Sequence, residues 1–339
     1  VRAYLVRRLL LLIPTFVGIT MLVFAITRFV PGGPIERAIA EARMKQEGRA
    51  PARADGGMQD LSEEQLGQLK EYYGFDKPIW ESYWLWLTKV VQFDLGESSR
   101  YGESVWDTIR SRLPISTYYG FMSMLITYLI CIPLGILKAL RHGSALDHFS
   151  SALIFFGYSV PAYVVGIALI VVFASQLGWF PLGGFTSDGF DELSLWGKAW
   201  DIVHHSVLPM TAYVMGSFAV TTMLMKNSLM DHMASDFVRT AIAKGLSYRS
   251  AVFKHAFRNS LIPLATHFGN NISVIIAGSF LIEKIFNING FGLLGYEAVV
   301  ERDYPVVMGI LVISALLQLI GNILSDICVA LADPRVEFR

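Results

Sequence analysis

Six long apolar stretches divide the chain: Leu9 to Ile26, Leu113 to Leu137, Phe149 to Phe180, Ser206 to Met225, Leu261 to Ile282 and Tyr304 to Ser325. A helix needs about 20 residues to cross roughly 30 Å of hydrocarbon, and a charged side chain inside that layer is costly. Each stretch meets both conditions, so the pattern predicts an all-α, polytopic membrane protein with about six transmembrane helices. The first follows Arg2, Arg7 and Arg8 with no small-residue cleavage pattern behind it, and reads as an uncleaved membrane helix. The chain then divides into 1–30 (N-terminus and first span), a polar segment over 31–112, and a five-helix region over 113–339.

The segment over 31–112 is too polar to span and too long to be a turn, so it predicts a periplasmic element of its own. Ile35 to Asp60 passes from an Ala-rich run into Gly48-Arg49-Ala50-Pro51 and Gly56-Gly57, the composition of a linker. Ser62-Glu63-Glu64-Gln65 has capping-box spacing, with Leu61 and Leu66 as the hydrophobic staple, and predicts a helix stopping near Gly74. After Pro78, residues Ile79, Trp80, Tyr83, Trp84, Leu87, Val90 and Val91 recur at helical spacing. This face suits either the outer membrane interface or packing on the protein's own spans.

Charge placement orients the spans, because Lys and Arg of short loops accumulate on the cytoplasmic side. Lys138, Arg141 and the run Lys226, Arg239, Lys244, Arg249, Lys254, Arg258 fall inside by this rule, whereas the acidic loops 183–205 and 287–303 fall outside. Arg335 and Arg339 then place the C-terminus in the cytoplasm beside the N-terminus. Composition agrees: 17% charged and 53% hydrophobic residues with a mean hydropathy of +0.47. The 28 basic and 28 acidic residues cancel, so nucleic acid is not an implied partner and membrane lipid is. Cys131 and Cys328, far apart in apolar runs, suit neither a disulfide framework nor a metal site.

The most informative polar segment is the cytoplasmic loop 231–260. Asp236 to Lys244 reads as a short helix closed by Gly245 in a left-handed position, with Lys244 favouring the C-terminus. Ser247 can cap a second helix running to Asn259, before Pro263. Asp236, Thr240, Ala241, Lys244, Gly245, Leu246 and Ser247 form a helix–turn–helix bracket, in which Ala241 and Gly245 permit close approach by another protein. A basic hairpin resting on anionic lipid accounts for the same periodicity.

Ala241-Ile242-Ala243-Lys244-Gly245-Leu246-Ser247, followed by His255-Ala256-Phe257-Arg258-Asn259-Ser260-Leu261-Ile262-Pro263, resembles the coupling loop of bacterial ATP-binding-cassette importer permeases of the peptide, opine and nickel uptake family. The resemblance extends over nearly the whole chain, through Pro31-Gly32-Gly33-Pro34, Tyr73-Gly74-Phe75-Asp76-Lys77-Pro78, Ile132-Pro133-Leu134-Gly135, Arg302-Asp303-Tyr304-Pro305 and Asp333-Pro334-Arg335. Gly157-Tyr158-Ser159-Val160-Pro161-Ala162 and Gly292-Leu293-Leu294-Gly295-Tyr296 are most similar to the branch that imports oligopeptides and peptide-like antibiotics such as microcin C. The resemblance implies a type I importer permease fold and an ATP-driven peptide importer, with nickel or opines as the alternative cargo. It also implies a second permease subunit, ATP-binding subunits (two chains or one fused ATPase) that hold ATP and Mg, and a periplasmic peptide-binding protein.

The chain has no Gly-x-x-x-x-Gly-Lys-Ser/Thr phosphate loop, so ATP hydrolysis is expected on separate subunits, with no cofactor in this chain. Asn270, Asn271 and Ser273 are candidates for the translocation path, although hydrogen bonds between helices explain them equally. Asn322, Ser325 and Asp326 suit an anchor at the inner interface, and His267 a structural role. An intramembrane hydrolase lacks a nucleophile with an assignable base, and an ion-coupled carrier needs an acid such as Asp326 or Glu283.

Overall fold

The computed structural model describes residues 2–29 and 77–332, the side chains of 2–6, 26–29, 269–277 and 331–332 excepted. The linker and capping-box helix expected within 35–74, and the closing Asp333-Pro334-Arg335, lie outside the described residues. In chain order the helices are α1 Arg2–Phe29, α2 Ile79–Val91, α3 Val105–Leu140, α4 Ala145–Ser159, α5 Ala162–Leu169, α6 Leu195–Met233, α7 Asp236–Ala243, α8 Tyr248–Ala251, α9 Phe257–Ala277, α10 Phe280–Ile285, α11 Phe291–Val300 and α12 Tyr304–Ala332. Among the described residues β pairing is confined to a single bridge, Glu97 with Ser104.

Four of these helices, α1, α3, α6 and α12, are each long and apolar enough to cross a membrane. α3 and α6 have 36 and 39 residues, so they overrun the hydrocarbon at about 1.5 Å per residue. Their polar ends, with Asp107 and Arg110 on one and Lys198 and Asp201 on the other, lengthen the expected spans Leu113–Leu137 and Ser206–Met225. The span expected over Phe149–Phe180 is broken: α4 and α5 meet at a 91° bend. Val160 is extended there (φ −96°, ψ 124°), because the residue before a proline is kept out of the helical region and Pro161 opens α5. α5 then runs on as a π turn over Ile170–Gln176. The expected span Leu261–Ile282 also divides, α9 ending at Gly278 (φ +68°) and α10 following as a separate short helix.

The chain forms two compact units. One comprises residues 11–109 and 298–315. Within it, Tyr83 and Leu87 of α2 are buried with Phe24 of α1, and the Tyr83 hydroxyl meets Thr20 Oγ1 at 2.9 Å and donates to the Val17 carbonyl at 3.1 Å. Trp80, Trp84 and Val91 on the other side of α2 remain exposed, so the aromatic stripe is divided between helix packing and an open face. Asp303 ties its second segment to the first, accepting from the Ser98 hydroxyl at 2.6 Å and from the Ser99 and Arg100 amides.

The other unit comprises 110–297 with the chain ends 1–10 and 316–339. Gly135 of α3 lets α6 come close: a Cβ there would lie 2.7 Å from Met225 Cβ and 2.9 Å from the Thr222 carbonyl oxygen. Backbone cannot step aside as a flexible side chain can, so Gly135→Val is expected to overpack this crossing and destabilise the protein by about 1–3 kcal/mol. Thermal unfolding of the purified variant measures the loss; an unchanged transition would show that α3 and α6 do not pack this closely.

Candidate functional site

The bracket between α6 and α9 has the expected local form. Ser235 precedes α7, which ends in a Schellman turn: Gly245 N–H donates to the Ile242 carbonyl at 2.9 Å and Leu246 N–H to the Ala241 carbonyl at 3.2 Å. The turn requires a residue with positive φ, and Gly245 supplies it at φ +96°. Ser247 Oγ then accepts from Ser250 N–H at 3.3 Å, capping α8. The second arm does not stop before Pro263 as its sequence suggests; α8 continues through a π turn over Val252–Ala256 into α9, with Pro263 inside that helix. The bracket's second arm and the following long helix are therefore one run of helical backbone.

Burial divides the seven bracket candidates. Ala241 is 8% exposed and Leu246 packs beside it, both joining a cluster with Ala139, Met225, Leu229, Val238, Ala251 and Leu264. The small side chain of Ala241 thus permits close approach to the chain's own core. Asp236, Thr240, Lys244, Gly245 and Ser247 are exposed, and no atom lies within 4 Å of a Cβ built on Gly245. Phe237, Ile242 and Tyr248 are exposed on the same bracket, so its free surface mixes polar and apolar side chains. That composition suits a protein contact.

A second constellation lies at the root of the bracket; of its members, Lys138 and Lys226 read in the sequence only as markers of the cytoplasmic side, and Asp147 stands out by no motif. Asp147, at the start of α4, is 2% exposed and receives Lys226 Nζ of α6 on both carboxylate oxygens at 2.8 Å. Lys138 of α3, wholly buried, lies 3.1 Å from Asp147 Oδ1 and donates to the Asp147 carbonyl and to Ser150 and Ser151 Oγ at 2.7–3.0 Å. Gly143 N–H adds a further donor to Asp147 Oδ2. Two ammonium groups and one carboxylate pin α3, α4 and α6 together where α6 leads into the bracket. The available signal was a charged residue just beyond the edge of each of three apolar runs.

Glu283 is likewise buried. Its Oε1 accepts from Ser116 Oγ at 2.8 Å and its Oε2 from Leu293 N–H at 2.6 Å, while Ser116 Oγ accepts from Phe291 N–H at 2.7 Å. A Cβ on Gly290 would fall 2.5 Å from both Glu283 Cδ and Ser116 Oγ, so glycine is needed at that closure. Asp326 pairs with Arg8 Nη1 at 2.6 Å, bringing the start of α1 beside the end of α12. Ser325 Oγ donates to the Thr266 carbonyl between α12 and α9, and Asn322 accepts from Gln318. Both acids that a carrier would require are thus engaged in ties between elements of the fold. The side chains of Asn270, Asn271 and Ser273 lie outside the described residues. Among the described residues no three His, Cys, Asp or Glu side chains gather as a metal site.

Long apolar helices, a broken span and a bracket rooted in a shared core define a polytopic helical membrane protein. The chain belongs to the family of binding-protein-dependent transport system inner membrane components, which matches residues 131–338. It is 43% identical over 360 residues to the inner membrane ABC transporter permease protein YejB of Escherichia coli O157:H7, across 99% of both chains. It is 41% identical over 358 residues to the peptidoglycan transport system permease protein YejB of Agrobacterium fabrum, across 99% of this chain and 98% of that one. The oligopeptide transport system permease protein AppB of Bacillus subtilis is 35% identical over 337 residues, across 99% of both chains. Permease subunits of this family are not catalytic.

Proposed function

We propose that this chain is one of two permease subunits of an ATP-driven importer that passes oligopeptides from a periplasmic binding protein into the cytoplasm. The carrying observation is the bracket over 231–260: an exposed surface of polar and apolar side chains on two short helical arms whose inner faces are locked into the α3–α6–α9 core. Separate ATP-binding subunits, holding ATP and Mg, grip Asp236, Thr240, Lys244, Gly245 and Ser247, while Ala241 and Leu246 pass the displacement to the long helices. Both chain ends lie in the cytoplasm, in keeping with Arg7, Arg8 and the basic bracket. Peptide as cargo is supported by the oligopeptide relative. ATP shifts the balance between inward- and outward-open states only through differential affinity for the two, which a rigid handle converts into helix movement.

The test is uptake of labelled penta-alanine into vesicles carrying the assembled complex. Import is expected to require internal ATP and external binding protein and to survive collapse of the proton gradient. Uptake without ATP that disappears with the gradient would overturn the proposal in favour of an ion-coupled carrier.

A further inference from the structure

A groove of about 1000 Å³ runs through the unit that carries the bracket, walled by α3, α4, α5 and α6. Tyr118, Met122, Ile126, Ile130 and Leu134 of α3 line it at four-residue steps, a length of about 24 Å at 1.5 Å per residue. That is most of the roughly 30 Å depth of a hydrocarbon layer. The groove is open along one side, where Ile130, Leu153 and Phe156 are 47%, 61% and 72% exposed, and none of the described residues lining it is charged. Helices in membranes approach one another through small residues, whereas Met122, Met210, Met215, Leu153, Phe156 and Phe218 hold a neighbouring backbone off and adapt to a flexible chain.

Its three long walls lead to the charge cluster at the root of the bracket. Lys138 lies one turn beyond Leu134, Asp147 one turn before Ser150 and Lys226 two turns beyond Ala219, and the Lys138 ammonium donates to Ser150 Oγ of the lining at 2.8 Å. Two ammonium groups share one carboxylate there, and no second carboxylate lies in ion-pair range of either among the described residues, so one positive charge is left over. His142, exposed and 3.3 Å from Asp147 Oδ2, adds no negative charge. Arg141 follows Leu134 by two turns on the same face of α3, its N–H still donating to the Leu137 carbonyl at 3.0 Å. It is exposed and has no ion pair among the described residues. The groove is therefore apolar along its length and positive at the end nearest the bracket.

We propose that the groove is a phospholipid site, which takes one anionic lipid of the leaflet on the bracket's side, with an acyl chain lying along α3 and α4 and the phosphate at Arg141. The walls bury hydrocarbon whatever the headgroup, so selection rests with the positive end. The Arg141 guanidinium is a planar fork that matches two phosphate oxygens. A lipid with net negative charge also offsets the surplus of the Lys138, Asp147 and Lys226 cluster, which a zwitterionic lipid does not. A basic pocket between transmembrane helices at a membrane face is the setting in which anionic headgroups bind. The lipid then lies between α4 and α6, the helix that leads into the bracket, and its binding does not depend on the cargo the complex carries.

The test photolabels the assembled complex in detergent with phosphatidylglycerol carrying a diazirine in one acyl chain, while unlabelled lipids compete. Label is expected on residues 126–134 and 150–157, displaced about tenfold better by phosphatidylglycerol than by phosphatidylcholine. Arg141→Gln, at an exposed residue without an ion pair, is expected to keep the label and lower that preference to about threefold or less, whereas Arg141→Lys keeps most of it. Ile130→Trp/Leu153→Trp fills the groove from its open side and is expected to cut the label on both walls about fivefold. Equal displacement by the two lipids overturns the site, as does an Arg141→Gln complex with the full preference. Undiminished label in the tryptophan variant places lipid on the outer surface only and overturns it too; if that variant does not assemble, the two Arg141 variants still decide. Wild-type complex without label on these walls, in which Ile130→Cys cross-links to the second permease subunit, would give the groove to a helix of that subunit and end the proposal.

Discussion

Gly245→Val is expected to lower peptide-stimulated ATP hydrolysis by the assembled complex at least tenfold while the chain still inserts and assembles. The residue occupies φ +96°, where a β-branched side chain is strained, and its amide closes the turn onto Ile242. Valine therefore re-aims α8 relative to α7 and places bulk on a surface where no neighbour of this chain stands within 4 Å. The cost to folding is confined to the strained turn, because the added side chain meets no neighbour of this chain; docking is affected because the tip of the handle changes shape. Thr15→Ala is the control. Thr15 lies on α1, outside the bracket, and its exposed hydroxyl is occupied by the Leu11 carbonyl at 2.7 Å, so its loss is expected to leave stimulation within about threefold. Stimulation in Gly245→Val equal to wild type would show that the ATPase does not grip this turn.

The second large effect is expected at the root. Asp147→Ala removes the single carboxylate that two buried ammonium groups share, leaving Lys138 and Lys226 uncompensated at 0% and 8% exposure. Breaking such a cluster from one side costs about 3–5 kcal/mol, because the remaining buried charges have no counter-charge. The folded fraction recovered in detergent is expected to collapse. Replacing the whole set, as Lys138→Met/Asp147→Leu/Lys226→Met, is expected to restore most of the yield, since apolar side chains of similar size replace buried ion pairs at little cost. If the single substitution folded as well as wild type, α3, α4 and α6 would not be held by this charge cluster. Lys226 precedes the bracket by two to three helical turns, so the triple variant also asks whether charge at the root is needed for stimulation or only for folding.

The break in the third apolar stretch was legible but not read. Val160-Pro161 carries the restriction that ends a helix before proline, yet apolarity continues on both sides, and a hydropathy pattern registers no change of direction. The expected end of the bracket at Pro263 is the opposite case. Proline inside a long helix among other helices is tolerated when neighbours satisfy the freed backbone groups, so the same residue type marks a boundary at Pro161 and none at Pro263.

What the amino-acid sequence determined by itself is local or periodic. Apolar runs specify membrane-crossing helices because the hydrocarbon layer has one thickness, and Gly245 and Ser247 specify the bracket because a helix end depends on residues within one turn. Tertiary structure alone decided which face of each helix meets a neighbour. It joined Asp147 to Lys226 across 79 residues and Glu283 to Ser116 across 167, and turned Ala241 inward and Thr240 outward. In a span that is apolar on most sides, periodicity does not distinguish the face that meets lipid from the face that meets a helix. That choice is made by packing between segments far apart in the chain.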